Sequence, residues 1–186
     1  MQITVTMDGV ASRYAAQLDK LGAGEAKVAL ARALKHTGDK AKTQVVRALT
    51  AQTGLKRQVL VRAVKPKMVG QLTFQLETKG GDVSLKFFGA KETRKGVSAA
   101  PWGARRIYAG TFTKGGLFPK RTPLSKGGGH VFQRTGKGRL PISRVKSGLY
   151  IPTEMLKGQT VAAWEQVIRS DLAPRVEHEV ARMLPG

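Results

Sequence analysis

The chain has 186 residues and a mass of 20.1 kDa, with 33 Lys and Arg against 12 Asp and Glu and a formal net charge of +21. That length suits one domain with a core of its own, and a charge this large opposes compaction unless a polyanion or an acidic partner surface compensates it. The absence of cysteine excludes disulfide staples and thiolate metal sites. The opening MQITVTMDGV has neither the basic nor the apolar region of a signal peptide, and no apolar run is long enough to span a bilayer, so a soluble chain made in the cytoplasm is expected, with no membrane partner.

QITVTM alternates polar and apolar residues and predicts a short strand closed by a turn at Asp8-Gly9. Ser12 is expected to cap a helix carrying Ala15, Leu18 and Leu21 on one face, interrupted at Gly22 to Gly24. From Gly24 to about Gln52 the residues Leu30, Leu34, Ala41, Val45 and Leu49 recur at helical spacing, opposite Lys27, Arg32, Lys35, Lys42 and Arg47, with a bend expected at Gly38. Thr53 stands as the N-cap of a short basic helix with Leu55, Val59 and the stem of Arg62 on one face, ended by Lys65-Pro66. Leu72, Phe74 and Leu76 alternate before Gly80-Gly81, and Val83, Leu85 and Phe87 alternate after it, which predicts a hairpin.

Residues 93 to 153 run for 61 positions without Asp or Glu, yet hold 13 Lys or Arg and 11 of the 22 Gly. ARRIYAGTF, HVFQR and LPISRV are short strand candidates joined by loops such as TKGG and SKGGG. After Ile151-Pro152 a last helix is expected to begin near Thr153-Glu154 or Gln159-Thr160. Val161, Trp164, Ile168 and Leu172 form its stripe, continued by Val176, Val180 and Met183 past a kink or restart at Pro174. The fold class is therefore α+β: N-terminal helices and a C-terminal helix packed on a central antiparallel sheet, with long basic Gly-rich loops. Residues 1–186 are expected to form one domain, in which 89–130 is a basic, loop-rich insertion or arm.

Catalytic chemistry finds little support. His36, His130 and His178 are scattered, His178-Glu179 lacks the second His of a zinc helix, and no G-x-S-x-G elbow or Walker loop is present. The Gly-rich region has no carboxylates for acid/base work or metal binding, so no catalytic, cofactor-binding or metal-binding residue is assigned and the chain is not expected to be an enzyme. Binding of a polyanion is better supported, because Lys and Arg on loops neutralise phosphates without reading sequence. The contact set is Arg105, Arg106, Lys114, Lys120, Arg121, Lys126, Arg134, Lys137 and Arg139, with Arg134 and Arg139 alternatively fixing their own loop. Trp102, Tyr108, Phe112, Phe118 and Phe132 interleave with this charge, although Tyr108 and Phe132 fall in strand candidates where core packing is the commoner fate. LTAQTGLKRQVLVRAV has the residue types of a helix-turn-helix, a common pattern with little weight by itself.

HVFQRTGKGRLPISRVKSG, followed by LYIPTEM and a terminal helix ending in RVEHEVARML, resembles the C-terminal half of the minor tail protein Z family of tailed bacteriophages. VALARALKHTGDKAKTQVVRALTAQTGLKRQVLVRAVK is similar to the long helix, turn and short basic helix that precede it there. The resemblance covers roughly residues 24 to 65 and 126 to 184. It implies a structural virion protein that completes the head-proximal end of the tail, is synthesised in the host cytoplasm, and forms a homo-oligomeric ring, six-fold by expectation, around the DNA channel. Tail terminator, tail tube or head-connector proteins would be its neighbours. The basic loops would then contact genomic DNA non-specifically or dock onto acidic neighbouring rings. The competing reading is a stand-alone RNA- or DNA-binding module.

Overall fold

The structure is a computed structural model that describes residues 1–117, 119–124 and 127–184. Strand β1 (Gln2–Thr6) is followed by α1 (Asp8–Ala11), a 3-10 turn at Ser12–Tyr14, α2 (Ala15–Leu21), the long α3 (Ala23–Thr53), α4 (Arg57–Ala63), β2 (Val64–Val69) and β3 (Thr73–Thr78). After a 3-10 turn at Leu85–Phe88 come β4 (Lys91–Thr93) and β5 (Gly96–Ala99). A second such turn at Pro101–Gly103 precedes β6 (Arg106–Ala109), β7 (Thr111–Phe112), β8 (Lys114–Gly115), β9 (Thr122–Pro123), β10 (Phe132–Arg134) and β11 (Ile142–Arg144). Helices α5 (Ile151–Met155) and α6 (Gly158–Met183) complete the described chain. The fold is α+β, with its antiparallel strands shared among small sheets in the orders β1-β3-β2, β11-β10-β7, β4-β5-β6 and β8-β9.

The framework is the pair α3 and α6. The residues at helical spacing in α3, namely Leu30, Leu34, Ala41, Val45 and Leu49, are all buried, as are Trp164, Leu172, Val176 and Val180 of α6. Thr37 Oγ1 donates to Asp171 at 2.8 Å and Thr160 Oγ1 to Gln52 Oε1 at 3.2 Å, contacts that set the two helices antiparallel. Phe74 of β3 wedges the first sheet against this pair, its ring stacked on Trp164 with centroids 6.4 Å apart. On the opposite helix a Cβ at Gly38 would stand 2.6 Å from the same ring, so Gly38 serves close approach and α3 runs through it as one helix.

Several local expectations are corrected. Asp8-Gly9 opens α1, Ser12 Oγ donates to Gly9 O and caps nothing, and Ala15 is exposed although Leu18 and Leu21 are buried. Thr53 is the last residue of α3: its hydroxyl donates to Leu49 O at 2.6 Å and accepts from Leu55 N at 3.3 Å, and Gly54 closes the helix in the left-handed conformation. The buried residue of α4 is Leu60, while Arg62 is exposed. Pro66 does not end regular structure but sits within β2, an edge strand where the missing N–H is tolerated. The expected hairpin across Gly80-Gly81 is absent: β3 pairs with β1 and β2, while Val83 N donates to Leu149 O and Ser147 N to Val83 O, both at 2.9 Å. Of the alternating residues after the glycines Leu85 is buried but Phe87 is exposed, Leu85–Phe88 forms a 3-10 turn and not a strand, and the segment that Val83 meets lies far downstream. Helix α6 continues through Pro174 without a restart, and the two alternative starts correspond to two helices, each beginning earlier than expected: α5 at Ile151, with Pro152 in its first turn, and α6 at Gly158.

Asp171 ties the helix pair together. Burial pushes its carboxyl up, but hydrogen bonds from Lys40 and Thr37, with the charges of Lys40 and His36, outweigh burial and hold it below the ordinary carboxylate value. A carboxyl that binds its proton less readily folded than unfolded contributes fully above the ordinary Asp value of 3.8 and loses that contribution as pH falls through the lower folded value. Asp171→Asn is expected to lose about 1–2 kcal/mol at neutral pH, the scale of hydrogen bonds to a charged group. It should also flatten the fall in stability between neutral pH and the acid limb, measured by urea titrations at stepped pH. An unchanged acid limb in the variant would assign that loss to other carboxylates.

Candidate polyanion and partner interface

Glu92, the last acid before the acid-free stretch, organises the basic segment. Its carboxylate accepts from Thr113 N at 3.3 Å and Thr113 Oγ1 at 2.6 Å and forms an ion pair with Arg121, joining β4 to the chain around β7, β8 and β9. Burial pushes this carboxyl up, but the Thr113 and Arg121 hydrogen bonds outweigh it and leave it below the usual range. The turn from β4 to β5 is drawn tight by Thr93 Oγ1 donating to Gly96 O at 2.7 Å. Thr111 Oγ1 accepts from Val97 N at 3.1 Å and donates to Tyr108 O at 2.6 Å, fixing β7 beside β5.

These contacts surround an open cleft of about 220 Å³. Arg94, Lys95, Lys114, Arg121 and Arg134 supply its positive charge, and Gly96, Gly110, Gly115 and Gly116 leave its backbone walls bare of side chains. Arg134 is positioned by a hydrogen bond to Gly138 O at 3.0 Å and lies 5.9 Å from the centre of the Phe112 ring, which in turn packs on Phe132. The cleft continues into a wider groove of about 790 Å³ that shares Phe112, Gly115, Gly116 and Arg134 and adds Leu117, Leu124, Arg139, Leu140 and Ile142.

The residues expected to make contact are thus divided. Lys114, Arg121 and Arg134 meet in the cleft and Arg139 in the groove. Arg121 is partly covered and spends its charge on Glu92. Arg105 folds back to donate to Ser98 Oγ at 3.1 Å and weakly to Gly89 O, and Arg106 donates to Tyr108 Oη at 2.7 Å while lying over that ring. Lys114, Lys120, Lys137 and Arg139 are exposed and make no side-chain hydrogen bond or ion pair among the described residues. Lys126 and Phe118 lie outside the described residues. Arg94 and Lys95 lie outside the expected set; their signal is position, two cations at a turn directly before a glycine and separated from the last acid by Thr93 alone. The turn from β10 to β11 does not rely on left-handed glycines, since neither Gly136 nor Gly138 adopts positive φ; Thr135 N and Oγ1 instead donate to Pro141 O.

One pair outside the cleft has the form of a catalytic unit. Ser84 Oγ and His130 Nδ1 are 2.9 Å apart beside a cavity also lined by Asp82. Burial, with Lys86 and Arg144 nearby, pushes the imidazole below its ordinary value. The Asp82 carboxylate is turned elsewhere, accepting from Gly148 N at 2.8 Å and from Ser147 Oγ, so among the described residues the histidine has no orienting acid of the kind that activates a serine. His36 lies 3.8 Å from Asp171, and His178 is exposed; no cluster of His, Asp and Glu suited to a metal occurs among the described residues. Among the same residues no helix is long and apolar enough to cross a membrane.

No family model, no curated protein and no solved structure matches this chain.

Proposed function

We propose that this chain is a structural virion protein that completes the head-proximal end of a phage tail, assembling as a ring around the DNA channel and joining the tail to the head connector. The observation that carries this reading is the uncompensated charge of the basic segment. Its 13 cations stand against no acid of their own, and the acid that directly precedes it, Glu92, is already held by Arg121. Lys114, Lys120, Lys137 and Arg139 therefore face outward without internal partners among the described residues, as expected of a surface completed by another molecule. The resemblance of 24 to 65 and 126 to 184 to the minor tail protein Z family supports the location. The small sheets support ring assembly, because their short open edges are the kind that a neighbour covers. Repetition around a ring would multiply modest charge contacts into strong attachment.

Charge reversal provides the test. Lys114→Glu, Lys137→Glu and Arg139→Glu together touch only exposed side chains, so the variant should remain folded and soluble while infectious particle yield falls at least roughly tenfold. Cryo-electron microscopy of the wild-type particle should place the chain at the head-tail junction. Normal yield from the triple variant, or density for the chain elsewhere in the particle, refutes the reading. Sequence-selective binding of one RNA or DNA by the isolated monomer would support the nucleic-acid module instead.

A further inference from the structure

We infer that the cleft and groove form one docking site for an extended peptide segment of a different protein, carrying acidic and aliphatic side chains in close succession. This deepens the reading of the basic segment as an assembly surface, on which it rests, by naming the chemistry of the partner.

Three features coincide. The cleft concentrates cations, with Arg94, Lys95 and Lys114 exposed around it, which selects an anionic ligand. The groove continuous with it is aliphatic: Leu117 is 88% exposed and Leu140 71%, beside Leu124 and Ile142. Two such side chains left in water beside a cationic cleft favour a ligand with apolar groups next to its charges. Lastly, Ile142 belongs to β11, the outer strand of its sheet, whose far edge has backbone groups available to an added strand. A peptide alternating acidic and aliphatic residues meets all three demands.

Nucleic acid meets only the first. Its bases seek aromatic platforms, whereas the groove offers leucines and isoleucine, and Phe112 is already packed against Phe132 with Arg134 near its face. An anionic lipid would match charge and apolar surface but makes no use of a strand edge. A second copy of this chain is a poor source of such a segment, because its exposed acids without ion pairs, Asp8, Asp19, Glu25, Glu165 and Glu177, all sit on helices, whereas Glu92, Asp171 and Glu179 are held in internal ion pairs. The occupant is therefore a segment of another, more acidic protein.

The test uses the full-length chain and fluorescence anisotropy at physiological ionic strength. The probes are a short peptide alternating Glu and Leu, its Gln-for-Glu and Ser-for-Leu analogues, a single-stranded DNA of equal negative charge, and vesicles containing phosphatidylserine. The Glu–Leu peptide is expected to bind at least roughly tenfold more tightly than either analogue or the DNA. Leu117→Ser with Leu140→Ser, both at exposed positions, should weaken the peptide about tenfold and leave the DNA unaffected. Arg94→Glu with Lys95→Glu should weaken both. The proposal is overturned if the peptide does not bind, if DNA or vesicles bind as tightly as it does, or if the leucine variant binds it unchanged. None of those results alters particle yield or the position of the chain in the particle, so failure here is distinguishable from failure of the virion reading.

Discussion

Gly38→Leu is expected to destabilise the protein by about 3 kcal/mol or more, and even Gly38→Ala by about 1–2 kcal/mol net. The sign for alanine is opposite to that of an ordinary helix position, where replacing a mid-helix glycine gains about 1 kcal/mol from propensity alone. Here a Cβ would stand 2.6 Å from three atoms of the Phe74 ring. That ring cannot swing away: it is 2% exposed and stacked on Trp164 across the junction of α3, α6 and β3. Urea midpoints provide the measurement, with Gly24→Ala as the control because nothing lies within 4 Å of a Cβ there. Removing the obstacle supplies the decisive comparison. In a double-mutant cycle, Gly38→Ala and Phe74→Leu should together cost at least about 1 kcal/mol less than the sum of the two, because the smaller side chain leaves room for the methyl group. Additive costs would show that the helix, rather than the ring contact, is what resists the change.

Gly38 also illustrates where the sequence was legible. The buried stripe of α3 was readable because Leu30, Leu34, Ala41, Val45 and Leu49 repeat at helical spacing, and this periodicity is a local property. Why a glycine interrupts that stripe was not readable, since the reason is a ring contributed by β3. The same division runs through the sheets. Alternation marked Phe74 and Leu76 as strand residues, but it carries no information about partners, so Val83 and Leu85 were assigned to a hairpin with β3 when the chain at 147–149 receives Val83 instead. Strand β2 was hidden by Pro66, a residue that argues against strands unless the strand is known to be an edge. For the candidate site, composition marked the acid-free stretch as the unusual part of the chain. It could not show that Glu92 just outside it anchors Arg121, or that Arg94 and Lys95 meet Arg134 across one cleft. Charge density is a property of a segment, whereas a cleft is a property of its pairing.

That dependence of the cleft on pairing makes Gly96→Ala the substitution expected to damage stability and binding together. Gly96 opens β5 opposite Ala109 with φ of 147°, a backbone conformation that side chains disfavour, and a Cβ there would lie 2.1 Å from the carbonyl oxygen of Tyr108. The obstacle is backbone within the β5–β6 pair, so relief requires the strands to part. Strain of about 1–3 kcal/mol adds to an overpacking cost of similar size, for an expected loss of about 3–5 kcal/mol. Gly110→Ala separates the two contributions: Gly110 also has positive φ, at 69°, and also lines the cleft, but nothing lies within 4 Å of its would-be Cβ. It should therefore show the strain without the collision, about 1 kcal/mol. Amide hydrogen exchange should show early loss of protection at Val97, Ser98 and Tyr108 in Gly96→Ala while the middle of α3 stays protected. With the strands parted, Arg94 and Lys95 lose the turn that holds them against Lys114 and Arg134. Affinity for the Glu–Leu peptide should then fall by at least as much as on reversing Arg94 and Lys95, although no charge has been removed. Retained affinity in a variant with an unprotected β5 would mean that the cations act as an unstructured cluster, for which the geometry of the cleft is irrelevant.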